Sequence, residues 1–351
     1  MSLALLTDFG ISDETVTIEA IGNGLINSTW VVKNGEAKYI LQKINDNVFK
    51  DPESLASNID VVSEYLATHH PEYIFTSPIP DINGKTLVHK EDKGYYRMFH
   101  YVSGSHTVHV VGSADQAYEA ARQFGKFTRM LEGFDSSRLK ITIPDFHNLV
   151  YRYTAFLNAL KYGNKERNFR VRDLTDQMQR FSFIVVEYEK IKRDSAFRKR
   201  VTHHDTKISN VLFDEHNKGI CVIDLDTLMP GYFISDTGDM MRTYLSPADE
   251  EEQDLNKIEI RDDFYHAIVS GYCCEMNEVL SETEKNYFFF SGAFMIYMQA
   301  LRFITDFLED DKYYGEKYPD HNLFRARNQF TLLQRFLEKE KLFAKSVKLK
   351  A

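Results

Sequence analysis

The sequence predicts an α+β fold of two unequal parts, a small antiparallel-sheet lobe over residues 1–102 and a larger, mainly helical lobe over residues 103–351. Three observations point there. The first third alternates apolar and polar residues in short runs broken by Gly and Asn, the period of half-buried strands. From Ser113 the spacing changes to the three-and-four repeat of helices. One further strand–turn–strand pattern, Val201–Thr227, interrupts the helical part and carries polar residues where its strands begin and end.

Taken in order, TVTIEAI over Thr15–Ile21 gives a first strand, Gly22-Asn23-Gly24 a turn, and TWVVK a second strand. Asn34-Gly35 then precedes AKYILQK; Asn-Gly between alternating runs signals a hairpin, because a type I′ turn needs positive φ at both central residues. On this third strand Tyr39, Leu41 and Lys43 share a face, which sets an ammonium group among core-side neighbours. A helix is expected over Asp51–Ala67 with Pro52 near its start, and strands at Tyr73–Thr76, Thr86–His89 and Tyr95–Val102 complete the sheet. Ser103-Gly104-Ser105 makes a short hinge, and Ser113 with Gln116 offers a capping box to the first long helix.

A chain of 351 residues, 43% hydrophobic and 13% aromatic, can bury a large core. The formal charge of −9, without a basic stripe, argues against nucleic acid as a partner. Cys221, Cys273 and Cys274 lack the number for a disulfide framework and the spacing of a zinc site, so they read as buried thiols in a reducing compartment. The N-terminus has no basic leader and meets Asp8 early, which makes a cytoplasmic protein the expectation. The apolar run Tyr287–Leu301 contains Gln299 and falls short of the ~20 residues a bilayer span needs. It reads as a buried helix, with Ser281 and Glu284 as a capping box before it, so no membrane partner is expected. A monomer or weak dimer is anticipated.

A strand lobe with a glycine-bearing turn and an inward lysine, followed by a helical lobe with a polar loop, suits phosphoryl transfer from ATP. That chemistry needs positioning and charge neutralisation more than covalent help. Asp205 is placed to accept the acceptor hydroxyl's proton, Asn210 and Asp224 to hold Mg²⁺ through hard oxygens, and Lys43 to grip phosphates. Gly22 and Gly24 would lie over the nucleotide, and the hinge backbone at Phe99, Tyr101 and Val102 would receive adenine. Glu53 and Glu64 are both candidates to pair with Lys43, and the role of Asp226 stays open. The bland readings differ residue by residue: an edge-strand lysine for Lys43, and turn caps for Asn210 and Asp224. For His203, His204 and Asp205 it is a zinc or hydrolase cluster, or simply capped loop polars, with zinc disfavoured without HExxH or a third spaced ligand.

The spacing His203-x-Asp205-x-x-x-x-Asn210, an apolar hairpin and Ile223-Asp224-Leu225-Asp226 resemble the aminoglycoside phosphotransferase and choline kinase superfamily, relatives of the protein kinases. The resemblance covers most of the chain and implies a protein-kinase-like two-lobed fold. It implies Asp205 as catalytic aspartate, His203 as orienter of the loop, Asn210 and Asp224 as magnesium ligands, and Asp236 or Asp239 as support for the loop backbone. WVVKNGEAKYILQKIN, HHDTKISNVLFD, VIDLDTLMPG, DTGDMMR and ALRFITDFLEDDKYYGEKYPDHNLFRARNQF further resemble the N-acetylhexosamine 1-kinases, which phosphorylate the anomeric hydroxyl of N-acetylglucosamine or N-acetylgalactosamine. Two departures from the protein-kinase pattern stand out. Asn27 occupies the place of a third loop glycine, and Asp224-Leu225-Asp226 replaces the usual metal-binding tripeptide.

Within the last segment Arg302, Asp306 and Arg325 are candidate sugar contacts, as is His147 beside Phe146, although charges there ordinarily mark a solvated helix face. The acidic run Asp249–Glu252 reads as a solvated helix start, with attraction of a cationic antibiotic as its alternative. The function expected is an ATP- and Mg²⁺-dependent sugar 1-kinase. Aminoglycoside, choline or another alcohol kinase, and a catalytically idle nucleotide-binding protein, are the alternatives.

Overall fold

In the computed structural model, which describes residues 3–11, 15–21 and 26–347, the alternating runs form the expected antiparallel sheet. Gly22 and Gly24 lie outside the described residues. Strands β1 (Thr17–Ala20), β2 (Ser28–Asn34), β3 (Ala37–Ile44), β4 (Pro78–Ile79), β5 (Val88–Lys90) and β6 (Gly94–His100) are arranged β1-β2-β3-β6-β4, with β5 also on β6. The β2–β3 register pairs Asn34 with Ala37, so the loop centre is Gly35-Glu36 rather than Asn34-Gly35. Gly35 alone takes a positive φ there, 60°, as a II′ turn requires.

The two faces of this sheet meet different neighbours. Val32, Leu41, Tyr96 and Met98 form a small core closed by Leu5, Leu6, Phe9 and Ile11 from the start of the chain. Gln42 and Arg97, paired across β3 and β6, point the other way, toward the larger lobe.

Tyr73–Thr76 is not a strand; the edge pairing falls at Pro78–Ile79. Tyr73 is buried in the larger core and Phe75 stacks on Phe127 with centroids 6.3 Å apart, so these aromatics hold the segment against a helix. Pro78 is tolerated because β4 is an edge.

The Pro52–His69 helix starts as the sequence indicates, Asp51 accepting from Ser54 N at 2.9 Å. Its Leu55, Ile59, Val62 and Leu66 join the larger core, and Asn58 Nδ2 donates to the carbonyls of Lys140 (2.8 Å) and Leu228 (2.9 Å). Ser113 caps the Ala114–Met130 helix, but Gln116 Oε1 accepts from Gly112 N, one residue before the N-cap. The Ser281–Glu284 capping box does close, and Glu284 also receives the Arg200 guanidinium at 2.6 Å, anchoring β8 (Arg200–Thr202). β7 (His106–Thr107), at the end of the hinge, pairs with the hairpin of the larger lobe, formed by β9 (Val211–Phe213) and β10 (Gly219–Val222). A short β11 (Met229–Gly231) pairs with β8.

The apolar run extends to a 21-residue helix, Phe288–Leu308, because Phe303, Ile304, Phe307 and Leu308 continue its buried face past Arg302. It is the one helix among the described residues apolar and long enough to cross a membrane, yet 78% of that stretch is buried within the protein. The Phe233–Tyr244 helix lies against it so closely that a Cβ on Gly238 would meet the Ser291 carbonyl at 2.3 Å. Of the cysteines only Cys221 is buried; Cys274, expected inside, is exposed on the Asp262–Met276 helix.

Candidate active site

Strand β8 delivers His203-His204-Asp205 to a loop whose shape is fixed by carboxylates of the Phe233–Tyr244 helix. Asp236 accepts from His203 N at 3.0 Å and His204 N at 2.8 Å, and Asp239 accepts from Thr206 N at 2.8 Å. His204 sits at φ 66°, a left-handed conformation that a non-glycine residue keeps only when its surroundings impose it. Asp236 is buried, which pushes it up to about 7 although the two N–H groups pull it down. His203 is fully buried; its Nε2 donates to the Ile223 carbonyl at 2.9 Å and its Nδ1 accepts from Asp205 N at 3.4 Å. Desolvation holds its pKa down, so the neutral ring ties the loop to the hairpin end that carries Asp224.

Asp205 itself meets Asn210 Nδ2 at 3.1 Å and Lys207 Nζ at 3.2 Å. Burial raises its pKa, but Lys207 and then His203 offset this and leave the carboxyl below its ordinary value, hence ionised. Since Asn210 Nδ2 also donates to the Asp205 carbonyl at 2.8 Å, that amide is oriented, and its Oδ1 takes no hydrogen bond among the described residues. Asp224 occupies the left-handed region at φ 62° and opens on the cleft. The enclosure of the cleft, then the Asp226 and Asp205 carboxylates, push it up to about 7. Such crowding of acids fits a divalent metal, whose charge would relieve it. Among the described residues no three His, Cys, Asp or Glu side chains are already gathered around a metal position. Asn210 and Asp224 would be the protein's share of the ligands, with phosphate oxygens as the rest.

Lys43 is not brought to this group. Gln42 takes the cleft face of β3, so Lys43 points into the opposite side, where its Cε lies 3.1 Å from the Cβ position of Gly94 and its Nζ 6.0 Å from the Tyr96 ring. Among the described residues neither Glu53 nor Glu64 forms an ion pair with it. The cation that does face the larger lobe is Arg97. Its Nη2 lies 2.5 Å from Asp226 Oδ1, both side chains are 2% exposed, and Gln42 Oε1 accepts from its Nε and Nη2 at 3.1 and 2.9 Å. Asn27 Nδ2 donates to the other Asp226 oxygen at 2.6 Å. Asp226 is therefore held by the small lobe. At the hinge, Phe99 shares the Arg97 face, Tyr101 N donates to Lys38 O at 3.1 Å, and Val102 O accepts from Ser105 Oγ at 2.6 Å.

Beyond Asp205 lies a wall of rings and guanidinium groups. His147 stacks on Phe146 and stands 5.1 Å from His204, next in the chain to Asp205. Burial, His204 and Arg302 hold His147 well below its ordinary pKa. Arg302 lies over Phe146 (5.6 Å) and Tyr314 (5.4 Å), and Arg325 over Phe303 (3.7 Å) and Tyr314 (5.2 Å). Arg325 pairs with Glu250 and Glu251, while Arg242 bridges Asp239 (3.0 Å) and Glu250 (2.8 Å). Within the acidic run Glu250 and Glu251 thus form an inner clamp, whereas Asp249 and Glu252 stay at the surface, and no helix starts there. Asp306 is structural, both its oxygens taken by Tyr313 N, Tyr314 N and Asn322 Nδ2.

Residues 17–272, well over half of the chain, match the model of the phosphotransferase enzyme family. The chain belongs to that family. Among solved structures, this phosphotransferase is similar to an aminoglycoside phosphotransferase from Alicyclobacillus acidocaldarius, at TM-score 0.66 and 13% identity over 100% of this chain and 96% of that one. A microcompartment-associated aminopropanol kinase aligns at TM-score 0.63 and 14% identity over 97% of each chain. A choline kinase from Cryptosporidium parvum aligns at 0.57 and 14% over 98% of this chain and 96% of that one. At such identities the likeness concerns the fold, which in this phosphotransferase is the two-lobed α+β arrangement that the strand and helix patterns indicate.

The residues around this site that sequence reasoning missed are Gln42, Arg97, Arg152, Lys207 and Arg242, while Glu250 was read only as part of a solvated acidic run. A signal existed for two of them: Lys207 lies two residues past Asp205, and Arg242 follows Asp239 by three, the spacing of neighbours on a helix.

Proposed function

We propose that this phosphotransferase is an ATP-dependent kinase of a sugar hydroxyl, with the anomeric hydroxyl of an N-acetylhexosamine as the acceptor the resemblance favours. The observation that carries the reading is the aim of Asp205. Its carboxylate is kept ionised and is fixed by Asn210 and Lys207, on a loop that Asp236 and Asp239 hold from a buried helix. A base so placed takes the proton of the hydroxyl as its oxygen bonds to the γ-phosphorus and the bond from that phosphorus to the bridging oxygen breaks, releasing ADP. Phe99, Tyr101 and Val102 receive adenine, and His203 keeps the loop registered with the metal-side hairpin. Asn210 and Asp224 would hold a divalent metal, which would supply positive charge to offset that of the phosphates. Lys207 and Arg97 are the cations near the phosphates, since Lys43 faces away.

Support for a sugar over a cationic amine comes from the charge of the acceptor wall. Asp239, Glu250 and Glu251 are already engaged by Arg242, Arg325, His321 and Lys317, so these three carboxylates are not free for an ammonium group. Aromatic rings with hydrogen-bond donors suit a sugar. The test is ADP release with MgATP against N-acetylglucosamine, N-acetylgalactosamine, glucose, galactose, choline and an aminoglycoside. Turnover confined to acetylated sugars sustains the reading; turnover with an amine alone overturns the acceptor while leaving the kinase.

A further inference from the structure

Two cations of the acceptor wall have no answering carboxylate. Among the described residues neither Arg152 nor Arg302 forms an ion pair, in a protein where Arg242 and Arg325 beside them form two each. Each leaves a buried Nε with no hydrogen-bond partner. What they do hold is neutral and weak: Arg152 Nη2 donates to the Phe146 carbonyl at 3.4 Å, and Arg302 Nη1 to Gln299 Oε1 at 3.2 Å.

The two guanidinium groups are also close enough to oppose each other. Burial and then the charge of Arg302 pull Arg152 below its ordinary value. Rings complete the enclosure, with Phe146 and Tyr314 against Arg302, Tyr151 against Arg152 at 5.3 Å, and exposed Tyr313 at the rim, 6.0 Å from Arg302. The buried Nδ1 of His147 is likewise without a partner. Placing like charges together away from water is costly unless something compensates them. Here the rings and two neutral hydrogen bonds offset part of that cost, but no carboxylate among the described residues answers either half-buried charge, which leaves that place to a ligand.

We infer that the acceptor carries an anionic group, a carboxylate or phosphate, which Arg152 and Arg302 bind while Asp205 takes the proton of the reacting hydroxyl. The inference rests on the sugar-kinase reading and narrows it to acidic N-acetylhexosamine derivatives. Guanidinium groups suit this task because their fixed N–H forks match the oxygens of a carboxylate or phosphate.

The test compares kcat/KM for N-acetylglucosamine, its 3-O-lactyl ether and its 6-phosphate. Thermal shift with each sugar in MgADP repeats the comparison without turnover. At least one acid should be preferred over the uncharged parent by ~10- to 100-fold, the worth of one or two charge-assisted hydrogen bonds. Arg152→Met and Arg302→Met should each shrink that preference and the double variant should bring it to within ~3-fold, with Arg302→Lys retaining part of it. A merely structural role would depress all acceptors alike and leave the ratio unchanged. Equal use of the uncharged parent, or a preference that survives the double variant, overturns the anionic group while sparing the sugar kinase. Turnover of choline or an aminoglycoside in place of every sugar overturns both.

Discussion

Arg97 of β6 and Asp226 beyond β10 meet at 2.5 Å with 2% of either side chain exposed, so the two lobes are joined by a buried charge pair two residues from Asp224. Removing one member leaves the other buried and unanswered, at a cost of ~3–5 kcal/mol. Arg97→Met should therefore lower the urea midpoint strongly, and Arg97→Met with Asp226→Leu should recover part of the loss. A double variant no more stable than the single one would show that the pair is not what stabilises this contact.

Lys43→Met should change the KM for ATP by less than ~3-fold, because the β3 register turns this side chain from the cleft. Steady-state kinetics at saturating acceptor measures it. A loss of a hundredfold would mean that β3 rearranges when nucleotide binds.

Asp205→Asn preserves shape and removes the base. Turnover should fall by ~10²–10⁴ with ADP affinity retained, as calorimetry and single-turnover assays would show. Wild-type turnover in that variant would strip Asp205 of its role.

Glu250 is held down to about 2 against burial, by Arg242 and Arg325. A depressed carboxyl stabilises the fold fully above its unfolded value, 4.5, and loses that contribution as pH falls through the folded one. The protein should thus lose stability between about pH 4.5 and 2, and Glu250→Gln should flatten that part of the curve. Melting temperatures at pH 6 and pH 3 would read the difference.

Gly238→Ala should destabilise by ~1–3 kcal/mol, since its methyl would overlap the Ser291 carbonyl on the neighbouring helix. Activity should fall with it, because the same helix carries Asp236 and Asp239. Unchanged thermal unfolding would mean that the two helices separate without penalty.

The gathering of Asp205, Asn210 and Asp224 in the larger lobe was legible because its signal is local. Asp205, Asn210 and Asp224 sit at fixed spacings on one loop and one hairpin, and a hairpin preserves such spacing in space. The small lobe misled for a reason of the opposite kind. Tyr39, Leu41 and Lys43 do share a face, as the strand period requires, but that face is covered by Leu5, Leu6, Phe9 and Ile11 rather than by the cleft. Periodicity tells which residues go together and not which neighbour they meet. Arg97 and Arg152 escaped notice because their meaning depends on partners 129 residues away in one case and on the lack of any carboxylate in the other. Arg302 was readable because it continues an apolar helix whose other residues had to face inward.

The close seating of the Phe233–Tyr244 helix on the Phe288–Leu308 helix separates what is aimed from what is shaped. The Asp205 loop takes its bearing from the most deeply buried helices of the molecule, through Asp236 and Asp239. The acceptor wall is assembled from pieces nearer the surface: the Phe146–His147 turn, the Arg152 face of its helix and the Tyr313–Tyr314 loop. These pieces meet the aimed loop where His147 stands 5.1 Å from His204, and meet the deep helix where Phe146 lies against Arg302, so shape and aim are joined at those points.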